Sequence, residues 1–416
     1  MLLLPVSSAT DTWLLRKVLS ATGDPPIRLA IRDGASVCPP KVRPVGTILF
    51  QNRAALLKTV LQPEIGFGDG YAEGAIDVEG DLTALLEAAY RRWPGSSAWG
   101  WLTRLKSNCV ERFQANSPRR SRSNVHHHYD LTTDFYKQWL DRQLLYTCAY
   151  FPTPEASLEE AQIAKMDHVC RKLQLQPGET VAEAGCGWGA LALHMAKHYG
   201  ARVKAFNLSH EQIVYARQQA RQQELADRVE FIEDDYRNIS GRFDVFASIG
   251  MLEHVGIQRY AELGKVIHRT LGKSGRGILH FIGRNFPAPF SPWIRKRIFP
   301  GAYAPSLREA TTVLEPWDFA VTDVENLRLH YAKTLEHWLE RFERSVSQTS
   351  AMFDARFVRA WRLYLAGSLV AFRVGTLQLF QMTFAGPDCR IPWTRAHLYE
   401  VPEPQEQGPK WMHAMS

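Results

Sequence analysis

The chain has 416 residues, which at roughly 150 residues a domain corresponds to two or three domains, and its 45% hydrophobic and 22% charged residues are typical of a globular protein. The formal net charge of +7 favours an anionic partner, either nucleic acid or an anionic membrane surface. No apolar run approaches the roughly 18 residues that a membrane span needs, which argues against an integral membrane protein.

Residues 1–115 are predicted to form a small α/β domain. Alternating apolar and polar residues predict strands, and amphipathic stretches predict helices, the second of which has Asp81 as its N-cap. The predicted strands are 27–34 and 46–50, and the predicted helices are 52–61 and 81–93. The polar, Arg- and Ser-rich stretch 116–124 predicts a linker.

From residue 125 to about 400, short apolar runs alternate with helical patterns, which predicts a doubly wound, mainly parallel sheet of the Rossmann-like α/β class. The predicted strands are 180–185, 201–209, 228–235, 243–250 and 275–283, and the predicted helices are 190–200, 210–225 and 260–271. Residues 334–384 are predicted to be mostly helical, with Trp361, Leu365, Leu369 and Phe372 on one stripe. Residues 401–416 form a tail.

Cysteine usage and the start of the chain predict a cytoplasmic protein with reduced thiols. The six cysteines include no CxxC pair, so the spacing of a zinc site is absent, and MLLLPVSS lacks the basic region of a secretory signal. A disulfide at Cys148, within the aromatic run LLYTCAYF (144–151), is therefore disfavoured. Its residue type leaves a metal ligand, a nucleophile or a buried apolar side chain as alternatives.

A glycine-rich loop, EAGCGWGA (183–190), follows a predicted strand and opens a predicted helix. Its glycines allow a tight turn and the close approach of a ligand. The loop also satisfies the dinucleotide pattern GxGxxA, but the next strand ends at Asn207 without the acidic residue that would hold a ribose. Glu183 and the GxGxG spacing are instead similar to those of S-adenosylmethionine-dependent methyltransferases, whose cofactor carboxylate can lie near a helix N-terminus.

Further motifs, taken in order, resemble those of the cyclopropane-fatty-acyl-phospholipid synthases and their mycolic-acid cyclopropane synthase relatives. They are HHHYDLTTDFYKQWLD (126–141), YTCAYF (146–151), GCGWG (185–189), GMLEHVG (250–256), ILHFIG (278–283), PWIRKRIFPG (292–301) and HYAKTLEHWLERF (330–342). The resemblance covers roughly residues 120–390, and GDGYAEGAIDVEGDL (68–82) is similar to the N-terminal module of the family.

The resemblance implies methyl transfer from S-adenosylmethionine to a cis double bond of a phospholipid acyl chain, followed by proton loss and closure of a cyclopropane ring. An alkene is a poor nucleophile, so the reaction needs alignment and the exclusion of water. The resemblance also implies a homodimer on the inner face of the cell membrane. The mixed basic and aromatic stretch 293–299, with Trp293, Arg295, Lys296 and Arg297, favours a membrane over nucleic acid.

A carboxylate against an apolar pocket is costly to keep charged, and the family uses a bound bicarbonate as its base. The resemblance places its ligands at Cys148, Glu253, His280, the backbone of Ile282, and Tyr331. In this interpretation Cys148 is neither a nucleophile nor a metal ligand. Three consecutive histidines (126–128) cannot converge on one ion from a helix or strand, so no metal site is predicted.

The resemblance also assigns the residues that bind S-adenosylmethionine: Tyr129, Tyr146, Thr147, Gly185, Gly187, Asn207, Leu208, Gln212, Asp235 and Tyr236. The family usually has Thr in place of Asn207 and Ser in place of Thr147, and both replacements keep a hydrogen-bonding group. Two alternatives stay open. A relative could form a methyl-branched or methylene product or act on a small soluble molecule, or it could bind lipid without catalysis.

Overall fold

The computed structural model describes residues 8–92 and 131–399. The predicted linker 116–124 and the tail 401–416 lie outside these ranges, as do Tyr129 and the three consecutive histidines. Within residues 8–92, a four-stranded sheet of order β2-β1-β3-β4 packs with helices. Its elements are α1 (Ser8–Ala21), β1 (Arg28–Ile31), β2 (Ser36–Val37), β3 (Gly46–Phe50), α2 (Arg53–Leu61), α3 (Pro63–Ala72), β4 (Ile76–Gly80) and α4 (Leu82–Arg92).

The predicted elements of this N-terminal part are confirmed. Asn52 caps α2 by accepting a hydrogen bond from the Ala55 N–H at 2.9 Å, and Asp81 accepts one from the Ala84 N–H at 2.7 Å at the start of α4. Helices α1 and α3 and strands β2 and β4 were not predicted from the sequence. In α3, PEIGFGDGYA, three glycines remove the apolar periodicity by which a helix is recognised.

Residues 131–399 form a seven-stranded sheet with helices, and the predicted Rossmann-like class is confirmed. Strands β5 to β9 are parallel, whereas β11 is antiparallel to both β9 and β10, and the order is β10-β11-β9-β8-β5-β6-β7. The strands are β5 (Thr180–Ala184), β6 (Arg202–Asn207), β7 (Val229–Glu233), β8 (Val245–Ile249), β9 (Arg276–Gly283), β10 (Ala320–Asn326) and β11 (Gln378–Ala385).

The helices of this part cover both faces of the sheet and its later edge. They are α5 (Thr133–Lys137), α6 (Leu158–Lys172), α7 (Ala190–Tyr199), α8 (His210–Gln222), α9 (Leu252–Val255), α10 (Tyr260–Leu271), α11 (Pro292–Arg297), α12 (Leu307–Thr311), α13 (Arg328–Arg344), α14 (Val346–Met352), α15 (Ala355–Val374) and α16 (Ala396–Tyr399). The chain leaves β5 toward β6 and later returns on its other side as β8. This reversal leaves a crevice at the carboxyl ends of the strands, where ligands bind in open α/β sheets.

The prediction of mostly helical structure over 334–384 is partly wrong. Helices α13 to α15 are present, and the stripe from Trp361 to Phe372 is buried. The segment ends, however, in β11, whose eight residues are all buried. A strand buried on both faces lacks the alternation that distinguishes it from a helix, which is the physical reason for the error.

The N-terminal part, residues 8–92, packs directly on residues 131–399. Tyr71 and Leu86 belong to the same buried cluster as Trp293 and residues of α15. A Cβ on Gly68 would overlap the indole ring of Trp293, so the glycine allows this close approach. Among the described residues, no helix is both long and apolar enough to cross a bilayer.

Part of the predicted membrane-contact set is engaged inside the protein instead. Trp293 is buried, and its indole N–H donates to Asp69 Oδ1 at 3.2 Å. Arg297 binds the same carboxylate through Nε at 2.9 Å and Nη2 at 2.7 Å. The prediction that Trp293 contacts a membrane is therefore wrong, because tryptophan and arginine here join α11 to α3. Lys296 remains exposed.

Candidate functional site

The glycine loop after β5 has the shape of a ligand cradle. Gly185, Gly187 and Gly189 have φ values of +86°, +54° and +88°, in the left-handed region that glycine adopts at little cost. The N–H groups of Gly185 and Cys186 donate to the Phe206 carbonyl at 2.9 and 3.1 Å, which fixes the loop against β6. A Cβ on Gly187 would meet no atom within 4 Å, so open space lies in front of this residue.

The end of β6 closes against this loop. Asn207 Nδ2 donates to the Gly187 carbonyl at 3.2 Å and to Gln212 Oε1 at 2.6 Å, and its Oδ1 accepts from the Leu208 N–H at 2.8 Å. Ser209 caps α8, which carries Gln212. The structure thus brings together four of the residues predicted to bind the cofactor: Gly187, Asn207, Leu208 and Gln212.

Asp235 and Tyr236 follow β7 at the same edge of the sheet. Asp235 is buried and pairs with the Arg237 guanidinium at 2.8 Å. The Arg237 guanidinium also lies 4.9 Å from the centre of the Tyr236 ring. Burial raises the pKa of Tyr236 to about 12, although the Arg237 guanidinium acts in the opposite direction. Both residues lie on the β7 side of the crevice and take no part in the hydrogen bonds of Asn207.

The segment 144–151 brings the remaining described cofactor candidates to the end of β8. The hydroxyl of Tyr146 lies 2.7 Å from that of Tyr364. The Thr147 hydroxyl accepts a hydrogen bond from Lys165 Nζ at 3.1 Å. A Cβ on Gly250, just after β8, would lie 3.1 Å from Thr147 Cγ2. Thr147 therefore lies against the strand end that also leads to Glu253.

Cys148 is a buried, neutral thiol. Its sulfur lies 3.1 Å from the Ala149 carbonyl and 4.0 Å from the Leu327 carbonyl, and it forms no disulfide. Burial raises the pKa of Cys148 well above its ordinary value, which disfavours the thiolate that a nucleophile or metal ligand requires. Of the four alternatives, the disulfide is excluded in this structure, and a neutral hydrogen-bonding or packing role is the one the geometry favours.

Glu253 presents one bonded and one unbonded carboxylate oxygen. Its Oε1 accepts the Ile282 N–H at 2.6 Å, and its Oε2 is buried without a hydrogen-bond partner among the described residues. Burial raises the pKa of Glu253 to about 7, although the bond from Ile282 acts in the opposite direction. A buried acceptor without a donor is costly, so this oxygen suits a small ligand that carries a proton.

His280 lies two residues before Ile282 on β9 and is also buried. Gln381, its neighbour across β11, donates from Nε2 to His280 Nδ1 at 3.1 Å. In this arrangement the proton of the neutral ring is on Nε2. Burial holds the pKa of His280 well below its ordinary value, so the imidazole is uncharged at neutral pH.

Tyr331 lies at the start of a set of contacts that joins α13 to the Cys148 segment and to the end of β9. Its N–H donates to the Leu327 carbonyl, which also faces the Cys148 sulfur, and Leu327 in turn donates to Leu379 on β11 at 2.8 Å. Leu379 is the register partner of Ile282. The start of α13, the Cys148 segment and the end of β9 are therefore tied together. Within the predicted bicarbonate site, Glu253 and Ile282 are in direct contact.

Two tryptophans, Trp139 and Trp338, form an aromatic wall beside these residues that was not predicted from the sequence. Trp338 on α13 lies 5.3 Å from Tyr146 and 5.9 Å from Tyr331 between ring centres, so it contacts one residue predicted for the cofactor and one for the base. Trp139 packs against both Trp338 and Tyr146, at 5.6 and 5.3 Å. The aromatic residues of 126–141 and 330–342 were visible in the sequence, but their contact depends on the fold.

Several known proteins have sequences similar to that of this chain. A family model described as mycolic acid cyclopropane synthetase matches residues 116–382. A probable fatty acid methyltransferase of Pseudomonas putida is 35% identical over 347 residues, which is 80% of this chain and 86% of the relative. The cyclopropane-fatty-acyl-phospholipid synthase of Escherichia coli K12 is 37% identical over 274 residues, which is 66% of this chain and 70% of the relative.

A solved structure shares the fold of the second part. The mycolic acid cyclopropane synthase CmaA1, complexed with SAH and CTAB, is 33% identical, with a TM-score of 0.61. The match covers 63% of this chain and 97% of that one.

Proposed function

This chain belongs to the mycolic acid cyclopropane synthetase family and is an S-adenosylmethionine-dependent methyltransferase, and from that premise we propose that it converts a cis double bond of a phospholipid acyl chain into a cyclopropane ring. The observation that carries this proposal is the Glu253 carboxylate. One oxygen is fixed by Ile282 and the other is buried without a donor, beside a neutral histidine. Such an acceptor fits the hydroxyl of bicarbonate.

The crevice residues fit the cofactor. Bound S-adenosylmethionine supplies a methyl group on a sulfonium centre. Gly187 leaves room for it, and Asn207 and Gln212 hold the loop that forms the cradle. The methionine carboxylate would be favoured at the N-terminal end of α7, which follows Gly189 directly.

The second group of residues fits a bicarbonate base. Bound bicarbonate supplies an acceptor for the proton that the methylated acyl chain must lose. Glu253 Oε2 would accept its hydroxyl, His280 Nε2 and the Tyr331 hydroxyl would donate to it, and the Cys148 thiol would be a weak donor. Because the histidine and the thiol are neutral, neither quenches the anion by giving up a proton.

The aromatic wall has a distinct part in this proposal. A positively charged acyl chain would react with any water in the site, so the buried rings of Trp139 and Trp338 support ring closure by excluding solvent. An aromatic face also stabilises a nearby cation by roughly 0.5–2 kcal/mol. The site therefore needs no protein nucleophile, in agreement with the buried neutral state of Cys148.

The direct test is incubation with S-adenosylmethionine and vesicles of a cis-monounsaturated phosphatidylglycerol, with and without dissolved carbonate. We expect each modified acyl chain to gain one CH2 and to lose alkene reactivity, measured by mass spectrometry before and after ozonolysis. Fully saturated vesicles are the control. Turnover in carbonate-free buffer equal to that with carbonate would refute the bicarbonate base. Failure to methylate any unsaturated lipid would refute the substrate assignment.

A second candidate is a fatty acid methyltransferase with an open-chain product. The Pseudomonas putida relative with that name matches 80% of this chain, whereas the Escherichia coli cyclopropane synthase matches 66%. If the cation loses a proton without ring closure, the product keeps a double bond and remains sensitive to ozone. The same mass-spectrometric experiment therefore separates the two products.

We also infer a peripheral position on an anionic membrane and a homodimer. The net charge of +7 and the exposed Lys296 support the membrane contact, whereas Trp293 and Arg297 do not contribute, because they bind Asp69. High salt should release the protein from phosphatidylglycerol vesicles, because screening weakens such contacts. Binding that is insensitive to salt would exclude this electrostatic component. Sedimentation equilibrium tests the dimer.

A further inference from the structure

The segment 144–151 carries three candidate site residues, yet it lies outside every strand and helix. Side chains of α6 hold it in place. Gln162 Nε2 donates to the Leu145 carbonyl at 3.2 Å and to the Thr147 carbonyl at 2.9 Å. One helical turn later, Lys165 Nζ donates to the Thr147 hydroxyl at 3.1 Å. Two neighbouring residues, one neutral and one a cation, thus fix the same position.

Lys165 is a buried cation that is not consumed by an ion pair. The residue is 1% exposed, and its Nζ binds the Thr147 hydroxyl at 3.1 Å rather than a carboxylate. Burial lowers the pKa of Lys165 to about 8, so it is mainly protonated at pH 7. The groups that face it are the carboxyl groups of Asp141 and Glu183 and the thiols of Cys148 and Cys170.

The two facing carboxyl groups leave much of this charge available. Asp141 accepts the backbone N–H groups of Gln143 and Leu145, each at 2.9 Å. Burial raises the pKa of Glu183 to about 8, so this group is mainly uncharged at pH 7. A buried ammonium group is costly unless anions compensate its charge. Asp141 supplies part of this compensation, and a bound anion would add to it.

Among the described residues assigned to it, the bicarbonate site proposed above contains no cation. His280 is neutral, Cys148 is a thiol, and the Glu253 carboxyl, with its pKa of about 7, adds partial negative charge. An anion placed among these groups would be poorly stabilised. Lys165 Nζ binds the hydroxyl of Thr147, the neighbour of Cys148 in the chain. Beside the larger effect of burial, its charge acts to lower the pKa of Cys148 and of His280, so it acts on this site.

We propose that Lys165 is a positioning residue for the anion site, which holds the Cys148 segment through Thr147 and supplies the positive charge that favours bicarbonate beside Glu253. This inference rests on the proposed function. It assigns Lys165 a task different from that of Gln162, which holds the same segment through two carbonyl groups and brings no charge. The two residues can therefore be compared directly.

The test compares Lys165→Gln, Lys165→Met and Gln162→Met in the full-length protein. Glutamine at position 165 can still hydrogen-bond to Thr147 but carries no charge, and it covers the case in which the methionine variant fails to fold. Bicarbonate binding is measured without turnover, by titration of 13C-labelled bicarbonate in NMR and by the bicarbonate-dependent rise in Tm. Calorimetry with SAH and circular dichroism report the integrity of the cofactor site and the fold.

We expect Lys165→Gln to weaken bicarbonate binding about tenfold, because the anion loses the attraction of a buried unit charge. Gln162→Met should lower Tm but change bicarbonate affinity less than about twofold. Wild-type bicarbonate affinity in Lys165→Gln would overturn the role of the charge. An equal loss of affinity in Gln162→Met, which keeps the charge, would do the same. Neither result would overturn the proposed bicarbonate base. Absence of bicarbonate binding by the wild-type protein would overturn both this inference and the proposed base.

Discussion

Glu253 and Ile282 are joined by a 2.6 Å hydrogen bond from a backbone N–H to a buried carboxylate, across the carboxyl ends of β8 and β9. This contact fixes the orientation of the carboxyl group and turns its second oxygen into a buried, unpartnered acceptor. The bond lowers the pKa of Glu253, but burial outweighs it, and the pKa is raised to about 7. The group is therefore available in both protonation states near neutral pH.

Replacing Glu253 with Gln should abolish most turnover while preserving the fold. The amide oxygen can still accept the Ile282 N–H, but an NH2 group then replaces the free acceptor oxygen. We expect turnover to fall by roughly 10²–10⁴-fold, the usual contribution of a positioned acid–base group, and SAH affinity to stay within about twofold. Methyl transfer from labelled S-adenosylmethionine and calorimetry measure the two quantities.

The control for this substitution is Glu230→Gln. Glu230 lies on β7 and pairs with Lys204 at 2.9 Å, with both side chains exposed. It should keep wild-type turnover. Unchanged turnover in Glu253→Gln would remove Glu253 from the site.

Stability should depend on pH through the same carboxyl group. Below about pH 4.5 both the folded and unfolded states hold the Glu253 proton. Between about pH 4.5 and 7 only the folded state retains it, so the free energy of unfolding falls as pH rises through this window. The Glu253 contribution to the loss is at most about 3 kcal/mol, and above pH 7 it stays constant.

Glu253→Gln has no proton to lose, so its stability should fall less than that of the wild type between pH 5 and 7.5. Urea denaturation at several pH values measures the difference. Parallel curves for the two proteins across this interval would contradict the raised pKa.

The sequence predicted the parallel core of the sheet because β5 to β9 alternate with amphipathic helices of ordinary length. The prediction failed at the later edge, where β11 is buried along its whole length without alternating polar and apolar residues, and β10 pairs only with β11. Helix α3 was missed for a related reason, since its glycines serve close approaches to other parts of the chain, Gly68 to Trp293 among them, rather than an apolar face. In each case the deciding contact comes from a distant part of the chain.

The candidate site shows the same limit. The resemblance supplied Cys148, Glu253, His280, Ile282 and Tyr331, and the structure places Glu253 on Ile282. Lys165 could not be predicted in the same way, since it lies in no recognised motif and a lysine on a helix normally faces solvent. Its burial and its bond to Thr147 depend on the fold. The assignments of the five residues to bicarbonate and of the ten residues to S-adenosylmethionine stay predictions.

The Asp69–Arg297 ion pair should hold the N-terminal part on the methyltransferase part. Burial alone would raise the pKa of Asp69, but the hydrogen bonds and charge of Arg297 outweigh it, and the pKa lies below its ordinary value. Asp69→Asn leaves Arg297 without its counterion. Because the Arg297 side chain is 38% exposed, the expected loss is modest, about 1–2 kcal/mol in the free energy of unfolding by urea.

Glu73→Gln provides a matched control for that loss. Glu73 is close by in the chain and pairs with Arg356 at 3.1 Å and Lys58 at 3.7 Å, but all three side chains are well exposed. Its replacement should cost less than about 0.5 kcal/mol. Equal losses in the two variants would mean that the half-buried Asp69–Arg297 pair adds nothing beyond a surface contact.

Gly187→Ala tests whether the glycine loop binds the cofactor, because the added methyl group clashes with no protein atom. The alanine Cβ would enter open space, and φ at this position is +54°, so the fold should lose only about 1–2 kcal/mol from left-handed strain. If the cofactor lies against this residue, the added methyl group should weaken SAH binding by more than about tenfold. Calorimetric titration with SAH measures the affinity.

Gly200→Ala separates the strain from the loss of ligand contact. Gly200 ends α7 with φ at +68°, and its Cβ would meet Pro177 at 3.3 Å, so the backbone strain is of the same kind. It lies at the opposite end of the helix from the glycine loop, and its replacement should leave SAH affinity within about twofold. Equal losses of affinity in both variants would trace the effect to destabilisation of α7, and wild-type affinity in Gly187→Ala would remove the loop from the cofactor site.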